Sequence, residues 1–206
     1  MRSFWSEPFL WIHLAGLVAV PFCLALCWLG LAVGEPVLPV WLEMLLVAIA
    51  GITPILWMQL ARPFNIFSIL VVALKPEQLT PSQRQILSLF KRPFNKVLAL
   101  LAPILLVWVL WQVYRAVPLA ASMAQFVPQW HLAGLLLAAI AFLFSNLFLQ
   151  VPLSVCGVLV TSDSTFSQIE AYPIEKIHQD FTIPGFQVNG IWPFASVPTA
   201  PDSQGE

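Results

Sequence analysis

Between long apolar runs nearly free of charge lies one stretch, residues 62–96, that holds six of the chain's nine Lys and Arg residues: Arg62, Lys75, Arg84, Lys91, Arg92 and Lys96. This asymmetry constrains the fold more than any other feature. An apolar run of about 20 residues crosses a bilayer as a helix. Lys and Arg collect in the cytoplasmic segments beside such helices. The chain has 206 residues, 59% of them hydrophobic and 9% charged. A soluble domain carries about 25% charged residues. So few charges cannot cover a water-facing surface, and lipid must solvate most of the chain. The net charge of -1 offers nothing to nucleic acid.

Four runs are long enough to span, at about 9–33, 40–61, 96–117 and 131–150. The expected fold is therefore an all-α integral membrane protein with four transmembrane helices. The first run is too long for the apolar core of a cleavable signal and reads as a retained span. Ser6-Glu7-Pro8 reads as its helix start, with Ser6 as the capping hydroxyl. Gly34-Glu35-Pro36 makes a tight turn, so the first two spans form a hairpin. Each span holds a proline: Pro21, Pro54, Pro103 and Pro152. Pro21 is expected to kink its helix, and Pro152 to bend or end the fourth.

The membrane domain is expected over 1–160, with a cytoplasmic or interfacial loop at 62–95. Residues 64–74 are apolar but too few to cross, and read as an interfacial or re-entrant helix. Thr80-Pro81-Ser82-Gln83 starts another helix, with Thr80 as cap and Pro81 in the first turn. That helix, 81–91, mixes basic and apolar residues and suits the membrane surface. Residues 161–206 read as a cytoplasmic tail, with a short helix at 173–181, an extended segment after it, and disorder after 194. With 62–96 inside, Arg2 and Lys176 also fall inside and only Arg115 falls outside. Eight of nine cations on one side place both termini in the cytoplasm.

Few residues invite chemistry. Glu43 lies one turn inside the second span, and acids in membrane helices are functional candidates. Arg115 is expected at the same depth, so a structural Glu43–Arg115 pair is the leading reading, with Glu35 a rival partner. In the fourth span Asn146, Gln150 and Ser154 recur every four residues and share a face, beside Ser145. Gly134, Ala138, Ala141 and Ser145 make a stripe of small residues. Both stripes suit close helix packing. The sharper alternative is a small transporter or channel that uses this face and Glu43. His13 and His131 are candidate single axial ligands to a pigment or haem. They sit roughly 30 Å apart, a full hydrocarbon thickness, and cannot share one ligand. Cys23, Cys27 and Cys156 read as small buried hydrophobes. No metal spacing, phosphate loop or nucleophilic triad is visible, so no catalytic residue is assigned, no cofactor is required, and a non-enzymatic role is expected. Arg-Pro-Phe-Asn occurs twice, at 62–65 and 92–95, as a local device for leaving and re-entering the membrane.

Several stretches carry a resemblance: MRSFWSEPFLWIHLAG at 1–16, RPFNIFSILVVALKPEQLT at 62–80, LFLQVPLSV at 147–155 and QDFTIPGFQVN at 179–189. They resemble a cyanobacterial family labelled low-complexity tail membrane protein, over nearly the whole chain. The end at 194–206 departs from that label, being short and not strongly repetitive. The resemblance implies no activity and no catalytic residues. It implies a cyanobacterial membrane, the thylakoid by habit, and a photosystem or other photosynthetic complex as partner. The expectation is an accessory or assembly protein that binds the bilayer and a second membrane complex.

Overall fold

A computed structural model describes residues 3–69, 71–124 and 130–191. The expected disorder after 194 falls outside the described residues. Four helices are long and apolar enough to cross a membrane: Pro8–Leu31, Val40–Ala61, Pro93–Arg115 and His131–Leu159. The fold is an all-helical, four-span membrane bundle with a small folded cap at one end.

The first span comprises helix α1 (Pro8–Ala15), a 3-10 turn (Gly16–Val18) and helix α2 (Ala19–Leu31). Pro21 lacks an N–H, and its ring crowds the carbonyl of Leu17, so the chain tightens just before it. The cap of α1 is Glu7 and not Ser6, and no side chain caps it. The Glu7 carboxylate is instead drawn across the fold and accepts a bond from Gln83 Nε2 at 3.2 Å.

Helix α3 (Val40–Ala61) is the second span and carries Pro54 without a break. Helix α4 (Pro81–Phe90) starts on the expected Thr80 cap, completed into a capping box by Gln83. The Gln83 N–H donates to Thr80 Oγ1 at 3.2 Å, and the Thr80 N–H donates to Gln83 Oε1 at 3.0 Å. Helix α5 (Pro93–Arg115) is the third span, and a short helix α6 (Val117–Ala124) follows it. Helix α7 (His131–Leu159) is the fourth span. It runs past Pro152 without ending, nine residues beyond the expected 150, because the cap shelters its last turns: Val155 and Val158 are fully buried there.

Glycines set the closest crossings. A Cβ on Gly30 would sit 2.6 Å from the Gly134 carbonyl oxygen, and one on Gly134 would sit 2.5 Å from the Gly30 oxygen. Backbones of α2 and α7 thus touch directly, as small-residue membrane interfaces allow. A Cβ on Gly51 of α3 would meet Phe142 of α7 at 2.5 Å. The stripe Gly134, Ala138, Ala141 and Ser145 is buried and turned to these crossings.

The cap corrects two expectations. Among the described residues, 64–74 form no helix. They form strands β1 (Ser68–Ile69) and β2 (Val72–Leu74), an antiparallel hairpin. A third strand, β3 (Phe186–Val188), pairs parallel to β2 with Val72 opposite Phe186. Ile66, Phe67, Ile69, Val71 and Val72 are β-branched or aromatic and favour the extended chain. Asn65 starts it by accepting the Phe67 N–H at 2.9 Å, a local turn bond. Nor does α4 rest its apolar face on lipid. Ile86, Leu87, Leu89 and Phe90 are buried in a second core with Phe4, Phe67, Phe166 and Phe181. Two further helices belong to this cap, α8 (Asp163–Ser167) and α9 (Ile174–Asp180). The segment 161–191 is thus part of a folded unit with the 62–96 loop.

Candidate functional site

At the bundle end opposite the cap, His131 opens α7 and Glu43 sits in the first turn of α3. His131 Nε2 lies 2.8 Å from Glu43 Oε1, and His131 Nδ1 donates to the Val33 carbonyl at 2.8 Å. The same Glu43 oxygen accepts the Leu38 N–H at 3.1 Å. Glu43 is 1% exposed and His131 6%. A carbonyl only accepts, so Nδ1 carries a proton; one further proton is shared between Nε2 and the carboxyl. The pair ties α3, α7 and the turn after α2 together. It replaces the expected Glu43–Arg115 pair. Arg115 lies exposed at the end of α5. A sealed carboxylate needs a partner that is itself sealed, and the short imidazole satisfies this where a long guanidinium reaches for the polar headgroups. Both His131 nitrogens are engaged, so His131 has no lone pair for a pigment or haem.

Midway along the bundle, the predicted polar face of α7 is buried throughout. Asn146 Nδ2 donates to the Gly51 carbonyl of α3 at 2.9 Å. Gln150 Nε2 donates to Asn146 Oδ1 at 2.9 Å. Ser154 Oγ donates to Gln150 O at 3.1 Å, and Ser145 Oγ to Phe142 O at 2.8 Å. This arrangement binds helix to helix and helix to itself. Gln59 of α3 escaped the sequence reading. It is buried, and its Nε2 and Gln150 Oε1 are sealed without a partner. A lone glutamine at the end of an apolar run was the available signal.

Three side chains of the basic platform bond to the segment after α7. Arg62 donates to the His178 carbonyl at 2.5 Å and to the Phe181 carbonyl at 3.2 Å. Arg84 donates to Tyr172 O at 3.2 Å. Lys91 Nζ lies 3.6 Å from Asp180 Oδ1 and 5.3 Å over the Phe181 ring. The Lys75 backbone N–H donates to Val188 O at 3.1 Å. These bonds clamp 172–188 onto the loop, and Arg62, Arg92 and Lys96 are exposed. Tyr172 donates to Asp180. That bond, with Lys91 nearby, holds the Asp180 carboxyl below its usual range. Burial, then the same bond and charge, pushes the Tyr172 phenol up.

At the cap end, His13 of α1 lines a cavity of about 420 Å³ between α1, α7, the strand region and Pro184. Its other walls are apolar and include Phe64, Phe144 and Phe148. His13 Nδ1 lies 2.8 Å from the Phe9 carbonyl, and the ring stands 5.8 Å from Phe64. Of the two candidate ligand histidines, only this one keeps a nitrogen without a hydrogen bond among the described residues. The three cysteines are free, and the described residues hold no cluster of three metal-ligating side chains.

A family model described as low-complexity tail membrane protein-like matches residues 6–193. Neither the search of curated proteins nor that of solved structures returned a match.

Proposed function

Since the chain belongs to the low-complexity tail membrane protein-like family, we propose that it is a non-enzymatic accessory or scaffold protein of a membrane complex. The observation that carries this is the cap. Loop 62–96 and segment 161–191 fold onto each other in one buried core with Phe4, Phe9, Leu10, Val155 and Val158. Such a core makes a firm head for recognition, set on helices whose outer faces expose Trp41, Trp57 and Trp108. Aromatic side chains supply large contact area at low entropic cost and are enriched where proteins meet. The cation count puts the cap and both termini on the cytoplasmic side. By the lineage of the resemblance, the membrane is the thylakoid and the partner a photosynthetic complex. The buried bonds of Asn146, Gln150 and Ser154 favour packing over a conduit along α7.

The test is purification through a C-terminal tag in gentle detergent, followed by a native gel, absorption spectra and mass spectrometry. Co-migration with a large pigmented complex is the expected result. Colourless migration alone would remove the scaffold reading and make Glu43→Gln in a transport assay the next experiment.

A further inference from the structure

The cavity at His13 has a chemical selectivity that its surroundings define. A backbone carbonyl cannot donate, so the 2.8 Å contact with Phe9 O puts a proton on Nδ1. In the neutral ring Nε2 is then a lone pair. That nitrogen has no partner among the described residues and is not one of the polar atoms sealed from solvent. A histidine so held is pre-oriented, since the second ring nitrogen fixes what the first presents. The rest of the wall is apolar and partly aromatic: Gly16, Phe64, Phe144, Phe148 and Pro184 offer no other side-chain hydrogen-bonding group. Pockets of about 300–1,000 Å³ with one or few placed polar groups are the usual form of small-ligand sites.

A ligand here must be apolar, reach the cavity from the membrane, and bring its own O–H donor. The three aromatic walls favour an aromatic head. We infer that the cavity is a binding site for a lipid-soluble hydroquinone, whose phenolic O–H donates to His13 Nε2. The oxidised quinone offers only carbonyl acceptors to the same lone pair. The site therefore distinguishes the two redox forms by hydrogen-bond polarity, with no redox step of its own. One hydrogen bond of this kind corresponds to roughly a tenfold difference in affinity. This goes beyond the scaffold reading and does not depend on it: the ligand is titrated into the isolated protein, with no partner complex present.

The experiment titrates decylhydroquinone, and separately its quinone, into full-length protein in detergent under anaerobic conditions, followed by calorimetry. The expected result is saturable binding of one hydroquinone per chain, about tenfold tighter than the quinone. His13→Leu should erase the preference. His13→Gln, whose amide both donates and accepts, should bring the two forms to similar affinity. In wild-type protein labelled with nitrogen-15 histidine, the Nε2 signal of His13 should move with hydroquinone and stay with quinone, a readout that needs no variant. Equal or tighter quinone binding, a preference that survives His13→Leu, or absence of saturable binding would each overturn the inference.

Discussion

Two histidines on spanning helices begin alike and end differently. His13 and His131 each place Nδ1 2.8 Å from a backbone carbonyl, of Phe9 and of Val33. The first carbonyl lies one turn back on the same helix, so that bond joins His13 to no second element. The second lies 98 residues away, on the turn after α2. The remaining nitrogens complete the contrast. His131 Nε2 meets a buried carboxylate, while His13 Nε2 faces a cavity. The same side chain is thus a structural bolt at one end of the bundle and an open binding group at the other. What separates them is the second nitrogen's partner, which no residue type reveals.

The largest test of this contrast is His131→Leu. It leaves the buried Glu43 carboxyl with only the Leu38 N–H as partner, which costs up to about 3–5 kcal/mol. Denaturant unfolding in detergent, followed by tryptophan fluorescence, should show a loss of that size. Glu43→Gln on the His131→Leu background should restore part of it, because the stranded charge is gone. Additive losses would mean that the pair is not coupled. Gly30→Val tests whether the His131 end depends on the α2–α7 backbone crossing. The added atoms meet backbone and not a movable side chain, so a loss of about 1–3 kcal/mol is expected in the same assay. Asn146→Leu should cost less, about 1 kcal/mol, as interhelical side-chain bonds in membranes generally do.

A second pair of groups sharpens the contrast through pH. Glu43 is buried with a histidine, and Glu7 at the cap end is half-buried with Gln83 and the Phe9 backbone as partners. Burial raises the Glu7 carboxyl above its ordinary 4.5, more than the bonds from Gln83 and the Phe9 backbone lower it. The folded protein therefore favours neutral Glu7. That contribution is complete below pH 4.5 and is lost as pH rises through the raised value. Glu7→Gln should accordingly be more stable than wild type at pH 7 and equal to it below pH 4.5, whereas Glu43→Gln should destabilise at pH 7. Thermal unfolding at both pH values checks the signs. The smallest effect is expected for His13→Leu, within about 0.5 kcal/mol of wild type, since its one bond is local. A loss as large as that of His131→Leu would break the comparison.

The sequence by itself determined what rests on local chemistry. The four spans, the Thr80 cap of α4 and the helix at 174–180 follow from apolar length, cap residues and proline placement, all read within a few neighbouring positions. The small-residue stripe of α7 was legible because a helix sends every fourth side chain the same way. The doubled Arg-Pro-Phe-Asn marks where this reading ends. At 62–65 the motif leads into strand, and at 92–95 it opens α5, with Pro93 in the first turn. In the first copy Asn65 bonds forward to Phe67; in the second Asn95 bonds back to the Leu89 carbonyl at 3.1 Å. Only the tertiary structure decided that β2 would find a second strand, because its partner β3 lies more than a hundred residues along the chain. It alone joined Glu43 to His131 across 88 residues and bonded Arg62, Arg84 and Lys91 to residues 172–181. A buried charge or an open strand edge takes the partner that folding brings to it, and that distance in space is not written in distance along the chain.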